Sequence, residues 1–458
     1  MSGKLFAVPN LDARDEVMLP PEHVKWFTAE PESVLSIHRV RDVRHSLKHL
    51  RIGLDDKAIT HFLTRIVNDS LSKNLDLMHE SMYSEICTAV QGTLAKCDDS
   101  WQPFNVYNTV RDINSKVMAR LMFGSPICHD EEFLASYHGF LNTIGISVMV
   151  IGQLPAVLRG LVGPFFSIPL WYFNRRLQKV VLPVVRKRLS RVEDPVGDEN
   201  DVLAECIKST LKDEALRKES SAEMLIQQTL GLAFSSTFPT SSHLAHMVLD
   251  LVSCSSFSQV YQELRTEVEA VFKSEEDWSN AAKLKELVLM NSAIRESLRL
   301  HPPLINGLTR EVVRPGGLEL PGGTRVPRGT WVGVPIYSIH TDSRFYSDPK
   351  EYQPFRFVES SNPPSVPENQ EDEKRQDGRR LHAGQTTDRY LGWGYGRGAC
   401  PGRWLVVHLT QLIMAKIILD YDMEAIEAAP DIYVLGDSPM PPLSQTIMLR
   451  RRQSALKC

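Results

Sequence analysis

The 458-residue chain has no C-x-x-C pair, no block of like charge and no uninterrupted apolar stretch of the roughly 20 residues a membrane-spanning helix needs. Each absence excludes something. Seven cysteines, at positions 87, 97, 128, 206, 254, 400 and 458, form an odd set without paired spacing. That argues against a disulfide framework or a local zinc site and fits a reducing compartment. Lys and Arg total 52 against 56 for Asp and Glu, a net charge of −4, and without a basic block no nucleic-acid partner is expected. No internal repeat is visible. Met1–Pro21 is mixed and proline-punctuated, without the apolar core of a signal peptide.

What is present is enough chain for a large core. About 150 residues per domain would suggest three units, but a single large enzyme domain spanning 1–458 is equally allowed. Apolar positions recur at helical spacing over 55–95 and 106–123, which predicts long amphipathic helices. Residues 144–173 are the most apolar long region, interrupted by Pro155, Arg159, Pro164 and Pro169. The prolines disfavour one spanning helix, leaving an interfacial patch or a pair of core helices joined by a turn. Residues 194–201 and 363–380 read as polar loops. Segments 220–252, 259–272 and 284–300 read as helices. Residues 307–334 carry short β-rich runs punctuated by Pro315-Gly316-Gly317 and Pro321-Gly322-Gly323, the pattern of a small antiparallel sheet.

One stretch organises the chain: Trp393-Gly394-Tyr395-Gly396-Arg397-Gly398-Ala399-Cys400-Pro401-Gly402-Arg403. Its glycines remove side chains where a flat ligand must approach the backbone or where positive φ is required. Arg403 to Leu419 is long and apolar enough for a buried helix, and Cys400 sits just ahead of it. The helix N-terminus would stabilise a thiolate there, so Cys400 is a candidate metal ligand. An inert cysteine in a glycine-rich turn is the plain alternative.

Upstream, Glu296 and Arg299 share a helical face at i, i+3 ahead of His301-Pro302-Pro303, and Arg356 follows in Pro354-Phe355-Arg356-Phe357. Together with the cysteine loop these motifs resemble, in order and across essentially the whole chain, the haem-thiolate monooxygenases of the cytochrome P-450 family. The style of the loop is most similar to filamentous-fungal members of secondary metabolism. The resemblance implies a mainly α fold with a small β-rich part, opening with two short strands (Leu5–Pro9, Glu16–Leu19) and a helix.

It also implies haem b, with Cys400 as axial ligand to iron, Arg397 and Arg310 toward the propionates, and Trp393 and Gly394 against the ring; an ordinary strand-edge arginine is the plain alternative for Arg310. Glu296, Arg299 and Arg356 would form a structural triad supporting the haem loop. Trp393 stands where phenylalanine is usual, and Gly398 where a basic residue is common. The family's Trp-x-x-x-Arg is absent at Trp26 and Trp101; His61 and Arg65 share a helical face at i, i+4 and are candidates to substitute, although a solvated charged face is the plainer reading of that pair. In the family's distal helix a small pair, an acid and a threonine occur together; here Ser235, Ser236, Phe238 and Pro239 take those places and Thr240 follows. Thr240 is the proposed proton donor, although its hydroxyl could equally serve a backbone carbonyl.

The expected function is therefore oxidation of an apolar small molecule, such as a terpenoid, with O2 and with electrons from NADPH through a reductase. Residues 144–173 would face the membrane at a substrate channel. The family resides on the endoplasmic reticulum membrane, yet no N-terminal anchor is visible in this chain, and truncation and natural absence both stay open. Phe238-Pro239 leaves room for a peroxide-using or rearranging haem-thiolate enzyme, and the altered helix for a catalytically silent haem-binding protein.

Overall fold

The computed structural model describes residues 4–9, 15–45, 47–50, 66–68, 74–190, 200–212, 221–358 and 382–453. His61, Arg65 and the loop 363–380 lie outside them, as does most of 194–201. Thirteen helices are numbered here among the described residues. They are α1 (Val24–Ala29), α2 (Ile37–His45), α3 (Leu75–Thr93), α4 (Val106–Phe123), α5 (Glu131–Gln153), α6 (Ala156–Ser190), α7 (Val202–Lys212), α8 (Ala222–Val252), α9 (Phe257–Val271), α10 (Glu275–Trp278), α11 (Val288–Leu300), α12 (Ile336–His340) and α13 (Arg403–Asp420).

Local chemistry sets several of the ends. Asn105, Asp130 and Ser221 accept the third backbone N–H of α4, α5 and α8, the side-chain cap that satisfies an otherwise orphaned donor. Gly124 ends α4 at φ 73°, where a Cβ would run into the Asp201 carboxylate.

The helices enclose the larger core. α8 is its axis: it packs on α4, α5, α6, α7 and α11, and from Thr240 to Val252 every residue is buried. α13 lies on the other side of this core and is buried almost all round, which its predominantly apolar sequence anticipates.

The predicted β-rich part is present: besides the strands of the main sheet, the described residues include β4 (Gln102–Asn105), β9 (Tyr421–Met423) and β12 (Thr446–Arg451) in one small sheet, and the pairs β6 (Leu318–Glu319) with β7 (Arg325–Val326) and β10 (Tyr433–Leu435) with β11 (Ser438–Met440). β1 (Phe6–Pro9), β2 (Asp15–Met18), β3 (Leu35–Ser36), β5 (Gly307–Val312) and β8 (Trp331–Val334) form one sheet in the order β1-β2-β8-β5-β3. β5 and β8 pair antiparallel, as the turn residues between them predict, while β2 joins β8 in parallel. A second, smaller core lies on this sheet and includes Phe27 of α1 and Leu391 of the cysteine loop. Trp393, two residues on, belongs to the helical core. The loop is thus anchored in both.

The apolar region 144–173 is divided between α5 and α6 at Leu154-Pro155, the pair of helices joined by a turn. Pro164 and Pro169 behave differently from expectation: α6 stays helical through both, and through Pro183 further on. A proline in a helix interior costs about 3 kcal/mol, and here packing of α6 against α5 and α8 offsets that cost. Its outward face is apolar, with Val157, Leu161, Phe165, Ile168 and Trp171 all exposed. By length and composition α5 is apolar enough to cross a membrane, and 44% of its most apolar window is buried inside the protein.

Candidate functional site

The cysteine loop is shaped by its glycines and tied by its backbone. Gly394 has φ 78°, and a Cβ there would come within 3.0 Å of the Gly398 carbonyl oxygen. Only glycine suits such a position. A short turn over Gly396–Gly398 follows, and the Cys400 amide donates to the Trp393 carbonyl at 2.7 Å. The Trp393 indole N–H donates to the Ala383 carbonyl at 2.7 Å, and Arg403 caps the Cys400 carbonyl at 2.7 Å.

Cys400 is partly buried against the helical core, three residues ahead of α13. The Gly402 and Arg403 amides and the Arg403 charge pull its thiol pKa down, but burial is the larger effect and pushes it up. The helix start supplies the amides that the sequence predicts, yet they do not by themselves hold a thiolate. Desolvation penalises the charged form more strongly, and a metal ion is what would take the place of the proton.

Arg310 and Arg397 come together around the carbonyl end of α1. Arg310 is buried on β5 and its Nη1 donates to the Glu30 and Phe27 carbonyls at 3.0 and 3.3 Å. Its Nη2 is held more loosely, 3.5 Å from the Thr28 carbonyl. Arg397 is exposed and donates to the Ala29 carbonyl at 2.8 Å. A Cβ at residue 398 would lie 3.6 Å from Arg310 Nη2. Where the family commonly has a basic side chain at 398, this guanidinium approaches instead.

The Glu296, Arg299 and Arg356 side chains form one closed ion cluster. Arg299 meets Glu296 through two bonds, Nε to Oε2 at 2.7 Å and Nη2 to Oε1 at 2.8 Å. Arg356 Nε reaches Oε1 at 2.9 Å and the Gln353 amide reaches it at 3.1 Å. Glu296 and Arg299 are wholly buried. Arg299 also donates to the His340 and Pro349 carbonyls, both at 2.6 Å, so the cluster fixes the chain that leads toward the cysteine loop.

Two further residues in this network carry no recognisable signal in the sequence. His340, fully buried, joins the Arg299 carbonyl to the Leu391 amide. Arg295 donates to the His382 and Gln385 carbonyls at 3.0 and 2.9 Å and lies over the Tyr390 ring at 3.7 Å. Both act through loop backbone that is distant in sequence.

On the far side, α8 runs unbroken through Pro239. Asn114 of α4 braces the helix there, donating to the Thr237 carbonyl at 3.0 Å and to the Ser241 hydroxyl at 2.9 Å. Ser235, Phe238, Pro239, Ser242, His243 and His246 share one face at helical spacing and line a cavity of about 420 Å³. Its other walls come from α5, from Arg44, from the segment after α11 at His301, Pro303 and Leu304, from Trp331, and from the hairpin of β10 (Tyr433–Leu435) and β11 (Ser438–Met440). Thr240 is off this face and does not contribute to the wall; it is buried, and its Oγ1 has no partner among the described residues.

These residues suit a haem. A thiol sits in a glycine cradle at a helix start, backed by an indole, with two guanidinium groups at one edge. The family comparison agrees. The cytochrome P450 family model matches residues 42–446. The cytochrome P450 monooxygenase efuH of Hormonema carpetanum is 37% identical over 96% of this chain and 78% of its own length. The monooxygenase fsoD of Humicola fuscoatra is 36% identical over 98% and 85%, and nodZ of Hypoxylon pulicicidum 30% over 99% and 85%. A match of that extent, on a helical fold with small sheets and a cysteine loop built as described, places the chain in the cytochrome P450 family as a haem-dependent monooxygenase.

Proposed function

We propose that this enzyme oxidises an apolar small molecule of secondary metabolism, such as a terpenoid, by hydroxylation, epoxidation or multi-step oxidation. O2 is the oxidant, and NADPH supplies electrons through a separate reductase. The observation that carries this reading is the setting of Cys400, an unpaired thiol held by backbone bonds ahead of α13. Across the core, α8 borders a cavity of substrate size, walled by Val148, Phe234, Phe238 and Leu304.

Cys400 would hold the iron of haem b, with Trp393 and Gly394 against the ring and Arg310 and Arg397 toward the propionates. When bound, the haem supplies the oxygen chemistry, and thiolate ligation favours O–O cleavage. The rest falls to the protein. Glu296, Arg299 and Arg356 hold the loop in register. The apolar cavity wall keeps bulk water from the substrate. Thr240 moves a proton at Oγ1, a role supported by its burial without a partner among the described residues. The exposed apolar face of α6, followed on the same helix by Arg175, Arg176 and Lys179, supports docking at the endoplasmic reticulum membrane surface.

Phe238 and Pro239, apolar where an acid and an alcohol would pass protons, favour a second reading: a peroxide-using or rearranging enzyme independent of reductase. Turnover with and without NADPH plus reductase separates the two.

The primary test is the reduced, carbon-monoxide-bound spectrum of the protein expressed with haem, wild type beside Cys400→Ala. A red-shifted, thiolate-type Soret band confined to the wild type is expected. A wild type that binds no haem, or an unchanged band in the variant, overturns the assignment.

A further inference from the structure

The cavity is walled mainly by apolar side chains, with a line of imidazoles on one side and Arg44, Gln153, Asp437 and several serines among its other lining residues. His243 and His246 stand one turn apart on α8, and His301 follows α11. His301 Nε2 meets Asp250 Oδ1 at 2.8 Å, and Ser297 donates to the other oxygen of Asp250 at 2.6 Å. The His246 ring stacks on His301, centroids 4.3 Å apart and nearly parallel, and its Nε2 is 3.5 Å from the Pro439 carbonyl. At another part of the wall Arg44 is paired with Glu16 and Asp437, and Ser235 donates to the Leu232 carbonyl.

His243 is the exception. It is 5% exposed, it lines the cavity, and neither ring nitrogen has a partner among the described residues. A buried polar ring of this kind is destabilising unless something hydrogen-bonds to it, and the open side is the cavity.

We propose that His243 is a specificity-determining residue: its imidazole hydrogen-bonds a hydroxyl group carried by an otherwise apolar substrate. The inference rests on the reading of this cavity as the substrate site.

The choice of a hydroxyl over an anion follows from charge. Burial lowers the His243 pKa to about 4, the nearby His301 lowering it further against the pull of Asp250, so the ring is neutral near pH 7. A neutral imidazole offers one N–H donor and one bare nitrogen acceptor, and a hydroxyl can use either. A carboxylate would meet an uncharged ring with the carboxylates of Asp250 and Asp437 close by. The hydrocarbon body would lie against Val148, Phe234, Phe238 and Leu304. The enzyme then acts after an earlier oxygenation or hydration has placed an alcohol on the substrate skeleton.

The test uses the full-length holoenzyme and two probes that differ by one hydroxyl, 1-decalol and decalin, titrated by calorimetry. In His243→Phe the Kd for 1-decalol rises about five- to tenfold, the range of one buried hydrogen bond, while that for decalin changes less than twofold. His243→Gln, which keeps a donor and an acceptor, restores most of the alcohol affinity. Circular dichroism and thermal melting check folding, and His243→Leu carries the same comparison if the phenylalanine does not fold. Equal weakening of both probes, no change for 1-decalol, or a folded wild type that fails to bind 1-decalol overturns the proposal. The carbon-monoxide spectrum reports Cys400 and haem whether or not 1-decalol binds, so failure of hydroxyl recognition and failure of the haem-thiolate reading are distinguishable.

Discussion

His340 accepts the Leu391 amide at Nε2, 2.7 Å away, while its Nδ1 lies 2.8 Å from the Arg299 carbonyl. The two contacts assign the tautomer. Nδ1 must carry the proton to donate to a carbonyl, and Nε2 must be bare to accept an N–H. One neutral ring therefore clips the entrance of the cysteine loop to the helix that carries Glu296 and Arg299.

This clip makes stability depend on pH. Burial pushes His340 down to about 3, and His408 and His382 are likewise depressed to about 3 and 4. In the unfolded chain each titrates near 6.5, so below that pH the unfolded state binds more protons and unfolding becomes easier. The stabilisation is present above about pH 6.5 and is lost progressively as pH falls toward the folded values. We expect the denaturation midpoint to drop steeply from pH 7 to pH 5. His340→Gln, though less stable at pH 7, should show a shallower dependence over that range, by up to one proton or about 1.4 kcal/mol per pH unit. Urea unfolding at several pH values measures it; parallel slopes would remove His340 from the account.

Glu296→Gln should be among the most damaging single substitutions. It leaves Arg299, wholly buried, without its counter-charge and removes the ion pair between Glu296 and Arg356, and breaking a buried pair costs roughly 3–5 kcal/mol. Because the cluster holds the chain that reaches the cysteine loop, haem content should fall together with melting temperature. Haem per polypeptide by the pyridine haemochrome assay, beside a thermal melt, tests this. Retention of full haem content and stability would contradict it.

How much of this was legible beforehand depended on how local the signal was. Cys400, Glu296–Arg299 and the turn glycines of the small sheet declare themselves within a few neighbouring residues. Arg356 joins Glu296 from 60 residues away, and only the ordered resemblance to a family linked them. His340 and Arg295 act through backbone brought near by folding, so no spacing announces them. The prolines of α6 show the reverse limit, since local propensity predicts a break that tertiary packing overrides. Likewise the amides at the start of α13 predict a stabilised thiolate at Cys400, and only the surrounding burial shows that they are outweighed.

The two arginines proposed to face the haem propionates should separate experimentally. Arg310 is buried and loosely held at Nη2, whereas Arg397 is exposed, with one hydrogen bond, to the Ala29 carbonyl, among the described residues. Removal of Arg310 takes away both its bonds to the end of α1 and a guanidinium next to residue 398. We expect Arg310→Ala to lower haem retention severalfold and to destabilise the fold by about 1–3 kcal/mol. Arg397→Ala should change stability by less than about 0.5 kcal/mol, with a smaller loss of haem. Transfer of haem to an apo-globin acceptor gives the two off-rates; equal off-rates would show that burial does not rank them.

Thr240 presents a sharper alternative. Its hydroxyl is buried, partnerless among the described residues and off the wall that Phe238 and Pro239 line. If it moves protons, Thr240→Val should leave the carbon-monoxide spectrum and the melting temperature nearly unchanged, because no hydrogen bond of the fold is removed. It should lower product formed per NADPH consumed severalfold, with a matching rise in released hydrogen peroxide. General-acid assistance commonly contributes 10²–10⁴-fold, and a partial loss reflects the other hydroxyls nearby on α8. Unchanged coupling would instead assign Thr240 to packing. The proton path would then run without an alcohol at this turn of the helix, in keeping with the apolar Phe238-Pro239 pair and with the reductase-independent reading.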